Sequence, residues 1–353
     1  MRVILETTGN TSLPSTGEGY VAPANKVSST ITQVGLWTDG TTESHKYYPE
    51  NGSWVEQTFG VSQNFATGNN NGMSYVIRLE DGSFIVVDGG HDTEENADKM
   101  FSVLTKQAEG KPIVIAAWIF THAHSDHTGI FEVFTNKYGA QVTVESFIYN
   151  FPTDEAAKVS GSVPDATSVY HTMLNYTGAK KIVAHAGQVH KIRNATVNIF
   201  YAYDMMMPYK MVDYNATSVV FNVELEGSTI LFLGDAGGET SAVNGTLSHL
   251  KEIYTAETLG ANIVQVSHHG IDDQAKIDSF YSMLSNDAKV ALVPVASRFV
   301  KVNDKYYDLE ERSALSNLKN AKYYIAGNKI TVVTLNGGVS VVEYNTVTDY
   351  VNS

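Results

Sequence analysis

The stretch IFTHAHSDHTG, residues 119–129, places His122, His124, Asp126 and His127 within six positions. It continues the apolar run PIVIAAWIF, which reads as a strand buried on both faces, and it closes on Gly129. A strand that feeds a tight turn fixes the backbone, so alternate side chains converge on one point beyond its carboxyl end. Neutral imidazole beside carboxylate suits Zn, Mn or Fe(II), whereas an all-oxygen Mg or Ca site has no need of histidine.

A metal also needs distant ligands and groups that orient them. Matching positions occur at the ends of three other apolar strands. FIVVDGG ends on Asp88, ILFLGDAGG carries Asp235, and IVQVSHHG carries His268 and His269. A lone histidine is most often structural, and an Asp before Gly is most often a turn. Four strand ends that each deliver His or Asp into a glycine-punctuated turn are not explained by packing.

HAHSDH resembles the HxHxDH signature of the metallo-β-lactamase fold superfamily. The later pair, LGDAGG and SHHG, is similar to the branch containing the ComEC-like hydrolase domains and the phosphorylcholine esterases. The resemblance spans residues 70–345 or so. It implies an α/β (α+β) fold, the four-layer αββα metallo-β-lactamase sandwich. It further implies that His122 and His124 hold one metal, that Asp126 and His127 hold a second, and that Asp235 bridges them. His268 would complete the second site, and Asp88 would brace the histidine loop. Asp126, orienting the nucleophile, and His269, facing substrate as an acid or oxyanion donor, would be the catalytic residues. Many members supply a further histidine to the first metal. His185 and His190 lie in the right interval, His185 being the better candidate.

The cofactors implied are two divalent transition-metal ions, zinc foremost, with Mn or Fe as alternatives. The implied activity is metal-dependent hydrolysis by a metal-activated hydroxide at a dinuclear site, with a phosphodiester as the leading substrate. A lactone, thioester or β-lactam hydrolase on the same metals is the alternative. A non-catalytic, metal-stabilised binding module is another. The chain has no cysteine, which removes disulfides and a Cys ligand used by some β-lactamases and so favours phosphodiesters.

The 353 residues carry a formal net charge of -14, which argues against a broad hold on extended nucleic acid. The expected partner is a small-molecule or cell-envelope phosphodiester. With 43% hydrophobic and 18% charged residues the chain is ordinary for a globular protein. No apolar run approaches the roughly 18 residues of a membrane span. Composition suits a bacterial secreted or cell-surface protein better than a cytoplasmic one.

Along the chain, residues 1–55 read as a loop-rich N-terminal extension with short strands, and residues 56–353 as the hydrolase domain. Residues 71–90 read as a hairpin on the Asp81–Gly82 turn. A helix follows, with Asp92 and Glu95 spaced as a capping box. Strands and helices then alternate, apart from a mid-chain β meander between Lys181 and Asp235. A helix over LEERSALSNLKN and a hairpin over KITVVTLNGGVSVVEY close the pattern. Asn215 and Ser218, in YNATSVV, match a recurrent feature of the resembling branch and are expected near the site. His91, following Asp88-Gly-Gly, is a further candidate neighbour.

Overall fold

The computed structural model describes residues 20–36, 41–47, 55–61, 72–152, 166–206, 214–237, 245–270, 278–295 and 317–353, with backbone alone for 41–47, 55–61, 206 and 278. In chain order, β1 (Ser29–Val34) precedes a separate hairpin of β2 (Thr41–Tyr47) and β3 (Val55–Val61). Next come β4 (Ser74–Arg78), β5 (Phe84–Asp88), β6 (Ile113–Ile119), β7 (Val142–Val144), β8 (Ser146–Tyr149) and β9 (Lys180–Val183). The middle of the chain forms β10 (Val189–Ile192), β11 (Ala195–Tyr201), β12 (Val220–Leu225), β13 (Ser228–Phe232), β14 (Ile263–Gln265), β15 (Val290–Val293) and β16 (Lys322–Ile325). The last two strands are β17 (Ile330–Leu335) and β18 (Val339–Tyr344).

The first sheet has the order β18-β17-β1-β4-β5-β6-β8-β9, with β7 beside β6, and the second has β10-β11-β12-β13-β14-β15-β16. Each joins an antiparallel half to a parallel half. The hairpin β4–β5 leads into the parallel pair β5–β6, and the hairpin β12–β13 leads into the parallel pair β13–β14. Successive residues of these strands point to opposite faces, and both faces are buried. Tyr75, Ile77, Ile85, Val87, Ala117 and Ile119 meet Val197, Ile199, Phe221, Val223 and Phe232 between the sheets. Tyr75 and Phe232 touch edge-on at 5.2 Å.

The alternate residues face helices. Trp118 packs edge-on against Phe131 at 4.9 Å and Phe134 at 5.4 Å, from the helix Ile130–Tyr138. Met100, Val103 and Leu104 of helix α1 (Glu94–Ala108) join the same buried cluster. On the far side Leu231, Val264 and Ala291 share that layer with Leu247, Leu250, Phe280 and Leu284 of two short helices. The architecture is the αββα sandwich. Burial on both faces is why the parallel strands read as unbroken apolar runs.

Three features depart from the sequence expectations. The segment Ser29–Val34 lies within residues 1–55 yet pairs with β4 and β17 inside the first sheet. Its polar side chains are buried against partners: Gln107 Nε2 donates to Thr32 Oγ1 at 2.6 Å, and the Tyr75 hydroxyl donates to Gln33 Oε1 at 2.9 Å. The α1 cap is Thr93 rather than Asp92, its hydroxyl accepting the Asn96 N–H at 3.1 Å. Glu145 splits the strand expected over 141–150 into β7 and β8. Most of the helix expected over LEERSALSNLKN lies outside the described residues.

Candidate metal centre

Both parallel pairs end at the same rim of the sandwich, so the loops after β5, β6, β13 and β14 meet there. Asp88 closes β5 with φ 51°, a left-handed conformation that a non-glycine residue adopts at a cost. This turns its carboxylate under the next loop. Oδ1 accepts the Thr121 N–H at 2.8 Å and Oδ2 the Thr121 hydroxyl at 2.6 Å. Oδ2 also lies 2.7 Å from His127 Nδ1.

These contacts set the tautomers. His127 gives its Nδ1 proton to Asp88 and presents a bare Nε2. The Thr121 hydroxyl has donated to Asp88, so its lone pairs face His122 Nδ1 at 3.2 Å. Ser218 Oγ lies 3.3 Å from the same nitrogen and accepts the Asp235 N–H at 3.0 Å. His122 therefore also presents Nε2, which lies 3.0 Å from His124 Nδ1.

The second sheet supplies Asp235 and the histidine pair. Gln265 is buried and ties this loop to its own strand end, Nε2 also donating to Val266 O at 2.6 Å. Oε1 accepts the N–H groups of Leu233 and Gly234, both at 2.8 Å, and Nε2 donates to Gly234 O at 3.1 Å. Gly234 sits at φ 55°, and a Cβ there would meet Thr121 Cβ at 2.9 Å. Only glycine lets the two loops approach this closely. Asp235 then lies between the half-sites. Its Oδ1 is 3.1 Å from His127 Nε2, and its Oδ2 is 3.8 Å from His122 Nε2 and 3.4 Å from His269 Nε2. Asp126 Oδ2 lies 3.2 Å from His269 Nε2.

Two groups of donors result: Asp126, His127, Asp235 and His269, and His122, His124 and Asp235. Within each, the donor atoms lie within 4.8 Å of one another. Among the described residues, His127 Nε2, His269 Nε2 and Asp235 Oδ1 are buried without a hydrogen bond despite these short separations. They point at a common centre rather than at each other, and a cation there would satisfy all three. The donor set therefore fits a metal.

Electrostatics agrees. Burial opposes charge on His127, but the carboxylates of Asp235, Asp88 and Asp126 outweigh it and push its pKa well above the ordinary value. His269, equally buried, is raised to about 10 by Asp235 and Asp126. Burial and the neighbouring His127 instead hold His122 well below its usual value, so it is neutral. The site is built to hold positive charge.

The structure places the histidine pair differently from expectation. His268 and His269 are both left-handed, at φ 46° and 55°, and this turns the second ring inward. His269 Nδ1 donates to Pro294 O at 2.7 Å, freeing Nε2 for the cluster. His268 stays partly exposed, with Nε2 3.1 Å from Asn215 Nδ2 and 3.8 Å from Asp235 Oδ2. It belongs to neither group of donors.

Residues 67–288, more than half of the chain, match the family described as "Metallo-beta-lactamase superfamily". The chain belongs to the metallo-beta-lactamase superfamily. Similar solved structures include the metallo-beta-lactamase fold protein YhfI from Bacillus subtilis, at 13% identity, 90% of this chain, 100% of that chain and TM-score 0.47. Unliganded yeast PDE1 aligns at 13% identity over 85% of this chain and 97% of that chain, TM-score 0.45. Zn(2+)-bound PqqB from Methylobacterium extorquens aligns at 12% identity over 72% and 85%, TM-score 0.44. No curated protein sequence matches.

The superfamily is one of metal-dependent hydrolases, and its signature histidines here occupy the first loop. The further histidine considered for the first metal is not brought to it. His185 Nδ1 pairs with Asp204 Oδ2 at 2.8 Å, and His190 is buried on β10 with Nε2 3.3 Å from Gln188 Oε1. Thr121 and Gln265 join the site without belonging to any of the motifs above. A threonine directly before HAH, and a glutamine inside the apolar run IVQV, were the available signals. Among the described residues no helix is long and apolar enough to cross a membrane.

Proposed function

We propose that this chain is a phosphodiesterase that works with two divalent transition ions, zinc foremost. The observation that carries the reading is the shared carboxylate: Asp235 faces His122 on one side and His127 and His269 on the other. His122 and His124 would hold the first ion, and Asp126, His127 and His269 the second, with Asp235 common to both. Bound there, the ions would lower the pKa of a water toward neutrality and stabilise charge developing on a phosphoryl oxygen.

The protein's own groups hold this arrangement rigid. Asp88 fixes the proton on His127 Nδ1, and Pro294 O fixes the one on His269 Nδ1. Asp126, beside His269, orients the attacking group. In this reading His268 rather than His269 faces substrate, its ring set by Asn215. The likeness of LGDAGG and SHHG to the ComEC-like and phosphorylcholine-esterase-like branch supports a phosphodiester. The net charge of -14 favours a small or cell-envelope substrate over extended nucleic acid.

The test is turnover of bis(p-nitrophenyl) phosphate by metal-loaded protein, set against lactone, thioester and β-lactam substrates. Phosphodiester cleavage that vanishes in Asp235→Ala supports the reading. Turnover of the carboxyl-type substrates alone would replace it, and metal without any turnover would point to a binding module.

A further inference from the structure

His91 follows the glycine pair that ends the Asp88 strand, and none of the roles above uses it. Its backbone is rigidly held against the metal-binding turn. The Gly90 N–H donates to His127 O at 3.1 Å, and Gly90 O accepts the Ile130 N–H at 2.8 Å. The His91 carbonyl accepts the Thr93 N–H at 2.9 Å and Asn96 Nδ2 at 3.4 Å, at the start of α1. The ring is therefore carried on a fixed turn beside Asp126 and His127.

Its Nε2 is buried and has no hydrogen-bond partner among the described residues. A buried polar atom left unmet is costly, and such an atom beside an active site calls for a partner that arrives with the ligand. His91 is not among the donors that converge on either candidate metal position. The charged groups that act on it most strongly are nevertheless Asp126 and His269, with Asp92 and His127 behind them. Three of those four belong to the donor group of Asp126, His127, Asp235 and His269. Burial lowers the affinity of the ring for a second proton, so it is a neutral imidazole with one N–H to give.

A group standing just outside a metal's ligands meets what those ligands' metal holds. We propose that His91 contacts the substrate, with Nε2–H donating to a non-bridging oxygen of the phosphoryl group on the Asp126–His269 side. The proposal rests on the phosphodiesterase reading above. It makes His91 a substrate-binding residue rather than a metal ligand.

The experiment compares metal-loaded wild type with His91→Ala and His91→Gln. It measures metal content, thermal midpoint, calorimetric affinity for inorganic phosphate, and KM for bis(p-nitrophenyl) phosphate. His91→Ala is expected to bind phosphate about tenfold more weakly or worse, with raised KM and unchanged metal content. His91→Gln, which keeps a donor, should recover part of that loss. Unchanged phosphate affinity in His91→Ala overturns the contact, since Nε2 would then meet only a structural water. A loss that tracks metal loss overturns it too, because His91 would be supporting the ion. So does a wild type that binds no phosphate. If phosphate binding drops as expected but wild type cleaves only carboxyl-type substrates, the oxyanion contact stands and the phosphodiesterase reading fails.

Discussion

The two ends of the sandwich put buried and half-buried carboxylates to different use. At the end where β5, β8, β11 and β13 begin, charges meet as complete partners. Arg193, in the β10–β11 turn, donates from Nε to Asp81 Oδ2 at 2.8 Å and from Nη2 to both oxygens of Glu145 at 2.8 Å. Asn194 Nδ2 donates to Glu226 Oε1 at 2.8 Å, and Lys26 Nζ reaches Glu80 Oε2 at 2.6 Å. The Arg193 bonds clasp a turn of the second sheet to turns of the first, and the other two tie neighbouring turns within one sheet. At the opposite end His127 Nε2, His269 Nε2 and Asp235 Oδ1 converge without bonding. The clasp is finished by the protein alone, whereas the opposite end leaves buried donor atoms that fit a cation. Rigidity at one end lets the fold carry unsatisfied charge at the other.

The sharpest way to break this contrast is Asp235→Ala. Loss of the carboxylate proposed to be shared should lower turnover by about 10³-fold or more, several kcal/mol of transition-state stabilisation. Circular dichroism should show the fold kept, because Asp235 holds no strand. A variant that keeps activity would end the idea of a shared carboxylate.

Asp88→Asn tests the brace behind His127. It retains shape but weakens the acceptor that fixes the Nδ1 proton, so metal affinity should fall roughly 10–100-fold in competitive chelator titration. Unchanged affinity would mean that Thr121 and the backbone hold the loop without Asp88.

The expectations drawn from sequence divide along the same line. His122, His124, Asp126, His127 and Asp235 were legible because each follows an apolar strand and is marked by a nearby glycine. The order of the histidine pair was not, since it depends on two consecutive left-handed residues that no side-chain pattern announces. Nor was the clasp: Arg193 lies 112 positions from Asp81 and 48 from Glu145. Such pairs exist only once the two sheets are stacked. The strand Ser29–Val34 was hidden by its polar residues, whose partners Gln107 and Tyr75 lie far along the chain.

Arg193→Ala examines the clasp end in isolation. It leaves Asp81 and Glu145 facing each other without their cation, and a stability loss of about 1–3 kcal/mol is expected, discounted for partial exposure. Denaturant unfolding gives the loss, and metal content per folded molecule should stay that of wild type. A loss of metal in this variant would show that the two ends are not separable.

The smallest effect lies at the edge of the second sheet. Burial lowers the His190 pKa to about 4. In the unfolded chain the ring takes up its proton near the ordinary value of about 6.5, while the folded chain resists it. The stability that a neutral His190 contributes is therefore full above about 6.5 and is lost as pH falls toward 4. His190→Gln should flatten that part of the acid-unfolding curve and leave neutral-pH stability nearly unchanged. An identical acid limb in both proteins would show that His190 is accessible to protons in the fold.

Elemental analysis of the purified wild-type chain, before and after dialysis with zinc, decides whether this rim is a metal centre. Close to two transition ions per chain are expected after loading, and close to none that survive a strong chelator. A chain that takes up no transition metal under either condition would contradict the assignment of the rim built from THAHSDHTG, LGDAGG and SHHG as a metal centre.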